Sequence, residues 1–220
     1  MRARRWAAVY AGASTAEVGA RAFGWRRVAD GIKPMLMPAL LAWALRASRE
    51  QPGQGVPRLL IVGLIAATAG DILLLGGQRA WFLAGMLAFL VMQGAYGTGF
   101  ARLGAVDGLR RSPWPAISYG AVWLGANAYL GPRLGSLRAP VAGYSLALAA
   151  MAALAAGLGL QAGAGGALFL LSDALIGARV SGLDVPAGDA LVMATYLAAQ
   201  YLLVAAWMGR LGPGDAPIAA

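Results

Sequence analysis

Apolar runs that approach the thickness of a bilayer alternate along this chain with short stretches rich in arginine, glycine and proline. Eight such runs can be drawn, at residues 6–23, 33–45, 58–75, 81–100, 114–130, 140–160, 167–179 and 189–207. A helix that crosses the hydrocarbon core needs about 20 residues, and the second and seventh runs reach that length only with flanking residues. The pattern predicts an all-α, polytopic transmembrane helical bundle of about eight spans, forming a single transmembrane domain over residues 1–220.

The polar stretches between the runs are interpreted as connections. Residues 21–31 and 101–113 are basic and are predicted to be loops, and the glycine-rich residues 163–166 are predicted to form a turn. Pro34 is placed in the first turn of the second span, where its missing N–H does no harm. The basic start followed by an apolar run is similar to a signal peptide, but the seven further runs favour a retained first span.

Composition supports a membrane protein and narrows its chemistry. Hydrophobic residues make up 60% of the 220 residues and charged residues 12%, against roughly 45–50% and 25% in soluble domains. Cysteine and histidine are absent from the sequence, which removes disulfides, thiol nucleophiles and Ser-His-Asp arrangements. No cofactor or metal site is indicated. The net charge of +9 is spread over loops and ends, so we expect contact with lipid phosphates and none with nucleic acid.

Two aspartates interrupt the apolar runs. Asp71 lies in the third run, within residues 68–75, and Asp173 lies in the seventh run, within residues 171–175. A charge at the centre of a bilayer costs about 2.5–3.5 kcal/mol on insertion scales, and such residues usually face the protein interior or a wet cavity. Both aspartates are therefore candidate functional groups. The structural alternative is an interhelical hydrogen bond or an ion pair with Lys33.

The surroundings of the two aspartates suggest an internal repeat. Residues 70–73 and 172–175 share a small residue, an aspartate and a leucine in the same order. A glutamine and a tyrosine also recur in the fourth and eighth runs, as Gln93 with Tyr96 and as Gln200 with Tyr196. Two four-helix halves related by a parallel repeat would explain this pattern. Chance similarity between helices rich in alanine and leucine is the alternative.

Further polar side chains are predicted at a similar depth. Because successive spans run in opposite directions, Asp71 and Glu17 fall beyond the midplane, towards the face from which Lys33 enters the membrane. Each polar residue has a structural alternative. Lys33 can extend to the headgroups, Glu17 can pair with Arg21 at i+4, and the glutamines and tyrosines can form ordinary interhelical hydrogen bonds.

Two buried acids can hold one carboxyl group protonated and the other ionised at neutral pH. That arrangement suits general acid–base chemistry on a bond that is labile to protonation, with water as the nucleophile. A proton-coupled transporter would use the same groups as a relay. The residues alone leave both functions open, together with a purely structural bundle in which the aspartates are fully paired.

Five short motifs follow one another along the chain: Lys33-Pro34, Gly70-Asp71, Phe82-x-x-Gly85-x-x-x-Phe89-x-x-x-Gln93-x-x-Tyr96, Phe169-x-x-Ser172-Asp173 and Tyr196-x-x-x-Gln200. Their order and spacing resemble the YhhN-type family of integral membrane lysoplasmalogenases over nearly the whole chain. The resemblance implies an eight-helix hydrolase that cleaves the vinyl ether bond of 1-alkenyl lysophospholipids, giving a fatty aldehyde and a glycerophospho-base.

One position departs from the pattern of that family. Many members carry histidine where this chain has Gln93, and a glutamine cannot transfer a proton at pH 7. Either the histidine is dispensable, or this chain acts on a changed substrate, or it has no hydrolase activity.

The resemblance and the chemistry together predict a site. Asp71 and Asp173 are the expected acid and base, in an order that the sequence leaves open. The expected substrate-binding residues are Glu17, Lys33, Gln93, Tyr96, Ser172, Tyr196 and Gln200. Lys33 would bind phosphate or tune an aspartate, and the glutamines and tyrosines would position water and the glycerol backbone. The expected partners are a lysophospholipid substrate and membrane lipids, and the alternative is a small lipid or solute transporter or a lipid-binding membrane protein.

The distribution of arginines gives an expected orientation. A small excess of basic residues on the side of the N-terminus predicts a cytoplasmic N-terminus under the positive-inside rule. An even number of spans places both termini on the same side. The expected location is the plasma membrane of a bacterial cell, and the sequence carries no signal for the oligomeric state.

Overall fold

The computed structural model describes residues 2–50 and 55–211, and every regular element within them is helical. Nine α-helices occur in these residues: α1 Arg2–Ala22, α2 Arg26–Arg49, α3 Arg58–Leu73, α4 Arg79–Arg102, α5 Ala105–Arg111, α6 Trp114–Leu130, α7 Arg138–Gly157, α8 Leu160–Val180 and α9 Gly188–Met208. Two short 3₁₀ turns connect α6 to α7. The all-α prediction is confirmed.

Five of the described helices are long and apolar enough to cross a bilayer, namely α2, α4, α7 with its preceding turn, α8 and α9. The predicted count of about eight spans is higher than this. The α3 and α6 helices have 16 and 17 residues, or ~24–26 Å at 1.5 Å per residue, against a hydrocarbon core of about 30 Å. The α1 helix has 21 residues but carries arginines in its first turn and again at Arg21.

The second predicted span begins earlier than its apolar pattern indicated. Helix α2 starts at Arg26, so most of the basic stretch 21–31 is helical and only residues 23–25 connect α1 to α2. Arginines at a helix end extend past the hydrocarbon to the headgroups, which lets the helix continue beyond the apolar run. Pro34 therefore lies inside α2, as does Pro38, and not in its first turn. Each proline leaves the carbonyl group four residues earlier without its helical N–H partner.

The basic stretch 101–113 is also more regular than predicted, because it contains α5. Gly104 has a positive φ of 89°, a conformation that glycine adopts readily and that reverses the chain between α4 and α5. A Cβ atom at Gly108 would lie only 1.8 Å from the carbonyl oxygen of Gly157. The prediction of a plain loop was wrong because glycine lets this short helix pack directly on the end of α7.

Residues 163–166 do not form the predicted glycine-rich turn but lie within α8. The reason is helix packing. A Cβ atom at Gly166 would lie 2.9 Å from the Cα atom of Ala152 on α7, and one at Gly165 would lie 2.9 Å from the Leu203 side chain on α9. Small residues let membrane helices approach closely, so these glycines mark helix contacts.

The helices group into two compact units, Met1–Gly99 with Val204–Ala220 and Phe100–Leu203. In the first unit α1 packs on α2, and α2 on α3. In the second unit α7 packs on both α6 and α8. The single domain over residues 1–220 and the parallel repeat of two four-helix halves stay predictions.

The contact between α3 and α4 sets the position of Asp71 within the first unit. Gly63 faces the ring of Tyr96, where a Cβ atom would lie 2.4 Å away, and Gly70 faces the ring of Phe89 at 2.7 Å. The two helices are antiparallel, with glycines of α3 receiving aromatic rings of α4. Asp71 follows Gly70 and is thereby held in the buried part of α3.

Replacing Gly166 with alanine tests this packing. We expect Gly166→Ala to lower the free energy of unfolding by about 1–3 kcal/mol, because the added methyl group meets the backbone of α7. The matched control is Gly143→Ala on α7, where no atom lies within 4 Å of the added Cβ, and which should raise stability by about 0.5–1 kcal/mol. Thermal unfolding in neutral detergent measures both. Equal effects of the two substitutions would contradict the close contact between α7 and α8.

Candidate functional site

Asp71 and Lys33 form a buried ion pair in the first unit. The Nζ atom of Lys33 on α2 lies 3.5 Å from Oδ1 of Asp71 on α3, and their side chains are 11% and 2% exposed. The structural alternative considered for Asp71, an ion pair with Lys33, is thus present. Lys33 lies seven residues inside α2, so it points its charge at Asp71 instead of lying at the helix end. The pair offsets the cost of placing either charge in an apolar environment.

Glu17 on α1 belongs to a second group of ion pairs in the same unit. Its Oε1 atom accepts a hydrogen bond from Nε of Arg21 at 3.0 Å, and Nη2 of Arg21 donates to Oδ1 of Asp30 at 2.9 Å. The i+4 pair of Glu17 with Arg21 is therefore formed. Glu17 is nevertheless fully buried and does not lie at the surface of the unit. Lys33 lies within electrostatic range of Glu17. Arg21 and Asp30, which the sequence did not single out as site residues, tie Glu17 to the start of α2.

Tyr10 is a further residue near this site that the sequence analysis missed. It lies on α1, is buried, and is within electrostatic range of Asp71. A tyrosine in an apolar run is an ordinary occurrence, so no local pattern distinguishes Tyr10. Only the packing of α1 in the first unit shows that Tyr10 lies near Asp71.

Gln93 and Tyr96 lie on the face of α4 that meets α3. Tyr96 is fully buried, covers Gly63, and makes an edge-to-face contact with Trp207 at a centroid distance of 5.6 Å. Gln93 is 1% exposed, and neither its Nε2 nor its Oε1 atom has a hydrogen-bond partner within residues 2–50 and 55–211. The ordinary interhelical hydrogen bond considered for Gln93 is not formed with any described residue.

Asp173 lies on α8 in the second unit, where Tyr144 of α7 contacts it. The Oη atom of Tyr144 donates a hydrogen bond to Oδ2 of Asp173 at 2.5 Å. Because the phenol of Tyr144 donates this hydrogen bond, Oδ2 of Asp173 is the acceptor. Oδ1 of Asp173 is therefore the oxygen on which a proton can be carried. Tyr144 was not predicted as a site residue, since nothing in the local sequence marks one tyrosine of a long apolar run.

The remaining predicted residues of the second unit lie on α8 and α9. Ser172 is buried, and its Oγ atom donates to the carbonyl oxygen of Val192 at 3.0 Å. The ring of Tyr196 stands edge-to-face against Phe169, with centroids 5.5 Å apart. Gln200 is fully buried and has an interaction partner. The contacts of Ser172 and Tyr196 join α9 to the helix that carries Asp173.

The structure thus groups the predicted site residues by unit. Glu17, Lys33 and Asp71 are linked in the first unit, beside the α4 helix that carries Gln93 and Tyr96. The second unit holds Asp173, Ser172, Tyr196 and Gln200. The cooperation of Asp71 with Asp173 and the substrate-binding roles stay predictions.

These features define a class of protein: an all-helical, multi-pass membrane protein with carboxylates buried among apolar helices. Residues 28–207 match the YhhN family, and the chain belongs to this family. The resemblance noted from the motifs is therefore confirmed. No solved structure matches the chain.

Two characterised relatives are similar to this chain. It is 31% identical over 158 residues to lysoplasmalogenase TMEM86A of Bos taurus, covering 66% of this chain and 62% of the bovine protein. It is 30% identical over 174 residues to lysoplasmalogenase TMEM86B of Homo sapiens, covering 77% of this chain and 70% of the human protein. The chain thus spans somewhat less than two thirds of the length of the bovine relative.

The missing partners of Gln93 lead to a prediction about stability. A buried amide without hydrogen bonds costs about 1–3 kcal/mol, so we expect Gln93→Met, which keeps the shape of the side chain, to raise the free energy of unfolding by that order. Gln200→Met is the matched control, because Gln200 is equally buried but has a partner; it should lower stability. Chemical unfolding of both variants in detergent tests this. A Gln93→Met variant as destabilised as Gln200→Met would contradict the interpretation.

Proposed function

We propose that this protein is a membrane-embedded hydrolase that cleaves the vinyl ether bond of lysoplasmalogens, releasing a fatty aldehyde and a glycerophospho-base. The observation that carries the proposal is the similarity to two lysoplasmalogenases over most of this chain. Carboxylates within apolar helices, Asp71 buried and Asp173 half-buried, supply the chemical groups that such a reaction needs. The relatives favour a hydrolase over the transporter that the sequence left open.

The reaction requires an acid, a water molecule and a base. A carboxylic acid gives its proton to the β-carbon of the vinyl ether, which leaves an oxocarbenium ion at the carbon bonded to oxygen. Water adds to that carbon and gives up a proton to the base. The hydroxyl group of the resulting hemiacetal gives its proton to the first carboxylate. Its bond to the glycerol oxygen breaks as that oxygen takes the proton held by the second carboxyl group, which releases the aldehyde and restores both groups. General acid–base catalysis of this kind uses carboxyl groups directly.

Asp71 and Asp173 are the proposed acid and base. The ammonium group of Lys33 beside Asp71 compensates a negative charge there and suits a carboxylate that accepts a proton from water. Tyr144 occupies Oδ2 of Asp173, and this fixes Oδ1 as the atom from which a proton would be given or to which it would return.

The polar amides and phenols are proposed to position the reactants. Gln93 has two unsatisfied amide atoms, which can accept from and donate to a water molecule or a glycerol hydroxyl. Such a group orients water but does not carry its proton, so proton transfer falls to the aspartates. Tyr96, Tyr196, Gln200 and Ser172 are proposed to complete the lining that binds the lysophospholipid.

We also propose a location and a topology. The protein would lie in the plasma membrane of a bacterial cell with both termini on the cytoplasmic side. Termini on one side require an even number of crossings, so the five candidate spans need at least one more. Helix α1 is a suitable addition, because Glu50 at the end of α2 accepts a hydrogen bond from the backbone of Ala3, and Arg21 pairs with Asp30 at the start of α2. These contacts place α1 antiparallel along the whole of α2.

Aldehyde release tests the catalytic assignment. Purified Asp71→Asn and Asp173→Asn should each release aldehyde from lysoplasmalogen about 10²–10⁴-fold more slowly than wild type, because an amide neither donates nor accepts the proton. The matched control is Asp107→Asn on α5, an exposed residue paired with Arg110, which should keep the wild-type rate. Wild-type rates in either the Asp71 or the Asp173 variant would show that the residue is not an acid or base.

Reporter fusions test the topology. A fluorescent protein that folds only in the cytoplasm should be bright at both the N-terminus and the C-terminus, and a periplasmic phosphatase should be inactive at both. Fusions in the loop that contains residues 181–187, between α8 and α9, should give the opposite result, because the candidate span α9 separates this loop from the C-terminus. Opposite signals at the two termini would contradict the proposal.

A further inference from the structure

A chain of charged side chains runs through three helices of the first unit. Asp30 and Glu17 share Arg21, at 2.9 and 3.0 Å. Lys33 lies within electrostatic range of Glu17 and pairs with Asp71 at 3.5 Å. Acidic and basic groups thus alternate from the start of α2 to the end of α3.

Exposure falls from Asp30 to Glu17 and stays low at Lys33 and Asp71. The Asp30 side chain is 46% exposed, that of Arg21 is 13% exposed, and that of Glu17 is fully buried. The charges therefore lead from the surface of the unit to its interior. A charged ligand that followed them would meet an alternative charge partner at each step, which lowers the cost of leaving water.

The chain carries an excess of negative charge at its buried end. Three carboxylates face two cations, and Arg21 is shared by two of the carboxylates. The second oxygen of Glu17, Oε2, is buried and accepts no hydrogen bond from any residue of the described chain. A buried carboxylate oxygen without a donor is costly, so the site is built for a ligand that brings a donor or a positive charge.

A positively charged donor fits Glu17 better than a metal ion does. The described residues contain no group of three acidic side chains that could share a metal. A primary ammonium group needs only hydrogen-bond acceptors and carries three N–H donors. Lys33 and Arg21 beside Glu17 would at the same time attract an anion. A phosphate and an ammonium group joined by a short linker would satisfy both signs.

We propose that Glu17 binds the primary ammonium group of a phosphoethanolamine headgroup through Oε2, while Lys33 binds its phosphate. The site then selects lysophospholipids with an ethanolamine headgroup over those with choline or glycerol. Choline has no N–H donor for a carboxylate and is usually bound by aromatic rings, whereas phosphoglycerol has no positive charge. This inference rests on the proposed function only for the identity of the lipid, and the binding itself is independent of cleavage.

Binding of non-hydrolysable lipids tests the proposal. The probes are 1-O-alkyl lysophospholipids with ethanolamine, choline and glycerol headgroups, titrated into purified full-length protein in neutral detergent. Wild type should bind the ethanolamine lipid about tenfold more tightly than the other two, the value of one charge-assisted hydrogen bond. Glu17→Gln should abolish this preference while keeping its affinity for the glycerol lipid. Free phosphoethanolamine, which lacks the chain, should compete better than free phosphocholine.

The matched control is Glu50→Gln at the opposite end of α1 and α2, which should keep the wild-type preference. Equal binding of the three lipids by wild type would overturn the proposal, as would a preference that survives in Glu17→Gln. If Glu17→Gln fails to fold, the wild-type comparison still decides. A headgroup preference without aldehyde release would overturn the proposed hydrolase activity but support this binding site. Aldehyde release without a headgroup preference would support the hydrolase activity but overturn this binding site.

Discussion

Ionisable groups within apolar helices need partners, and this requirement governs the first unit of the protein. Asp71 and Lys33 lie on different helices and compensate each other at 3.5 Å. Glu17 is held by Arg21, which also reaches Asp30 on the next helix. Each charge therefore depends on the packing of α1, α2 and α3. A helix displaced from this arrangement would leave a charge buried without compensation, at a cost of several kcal/mol.

Close packing through glycine makes such pairing possible. On α3, Gly63 and Gly70 receive aromatic rings of α4 and hold Asp71 within the unit. In the second unit Gly165 and Gly166 bring α8 against its neighbours, and Asp173 accepts a hydrogen bond from Tyr144 of α7. Helices that are equally apolar on all sides gain little from the hydrophobic effect in lipid, so small residues and polar contacts decide which faces meet.

The chemistry available to a chain without histidine or cysteine is narrow. The chain belongs to the YhhN family and is similar to two lysoplasmalogenases. The proposed hydrolysis of a vinyl ether needs a proton donor and a base that activates water, and carboxyl groups can serve as both. Oε2 of Glu17 and both amide atoms of Gln93 are buried without a hydrogen-bond partner among the described residues, and binding is the role proposed for them. Burial without a partner is unusual in proteins and often accompanies function.

The sequence by itself determined the helical class, most helix positions, the family and the presence of two aspartates within apolar runs, because apolar run length and an acid within such a run are local properties. It misplaced the start of α2 and mistook residues 163–166 for a turn, since arginine and glycine suggest loops when their neighbours are unknown. Only the tertiary structure decided that Lys33 pairs with Asp71, that Tyr144 contacts Asp173, and that Gln93 has no partner among the described residues. Those facts depend on which faces of separate helices meet, and low-complexity helices rich in alanine and leucine carry little information about that choice.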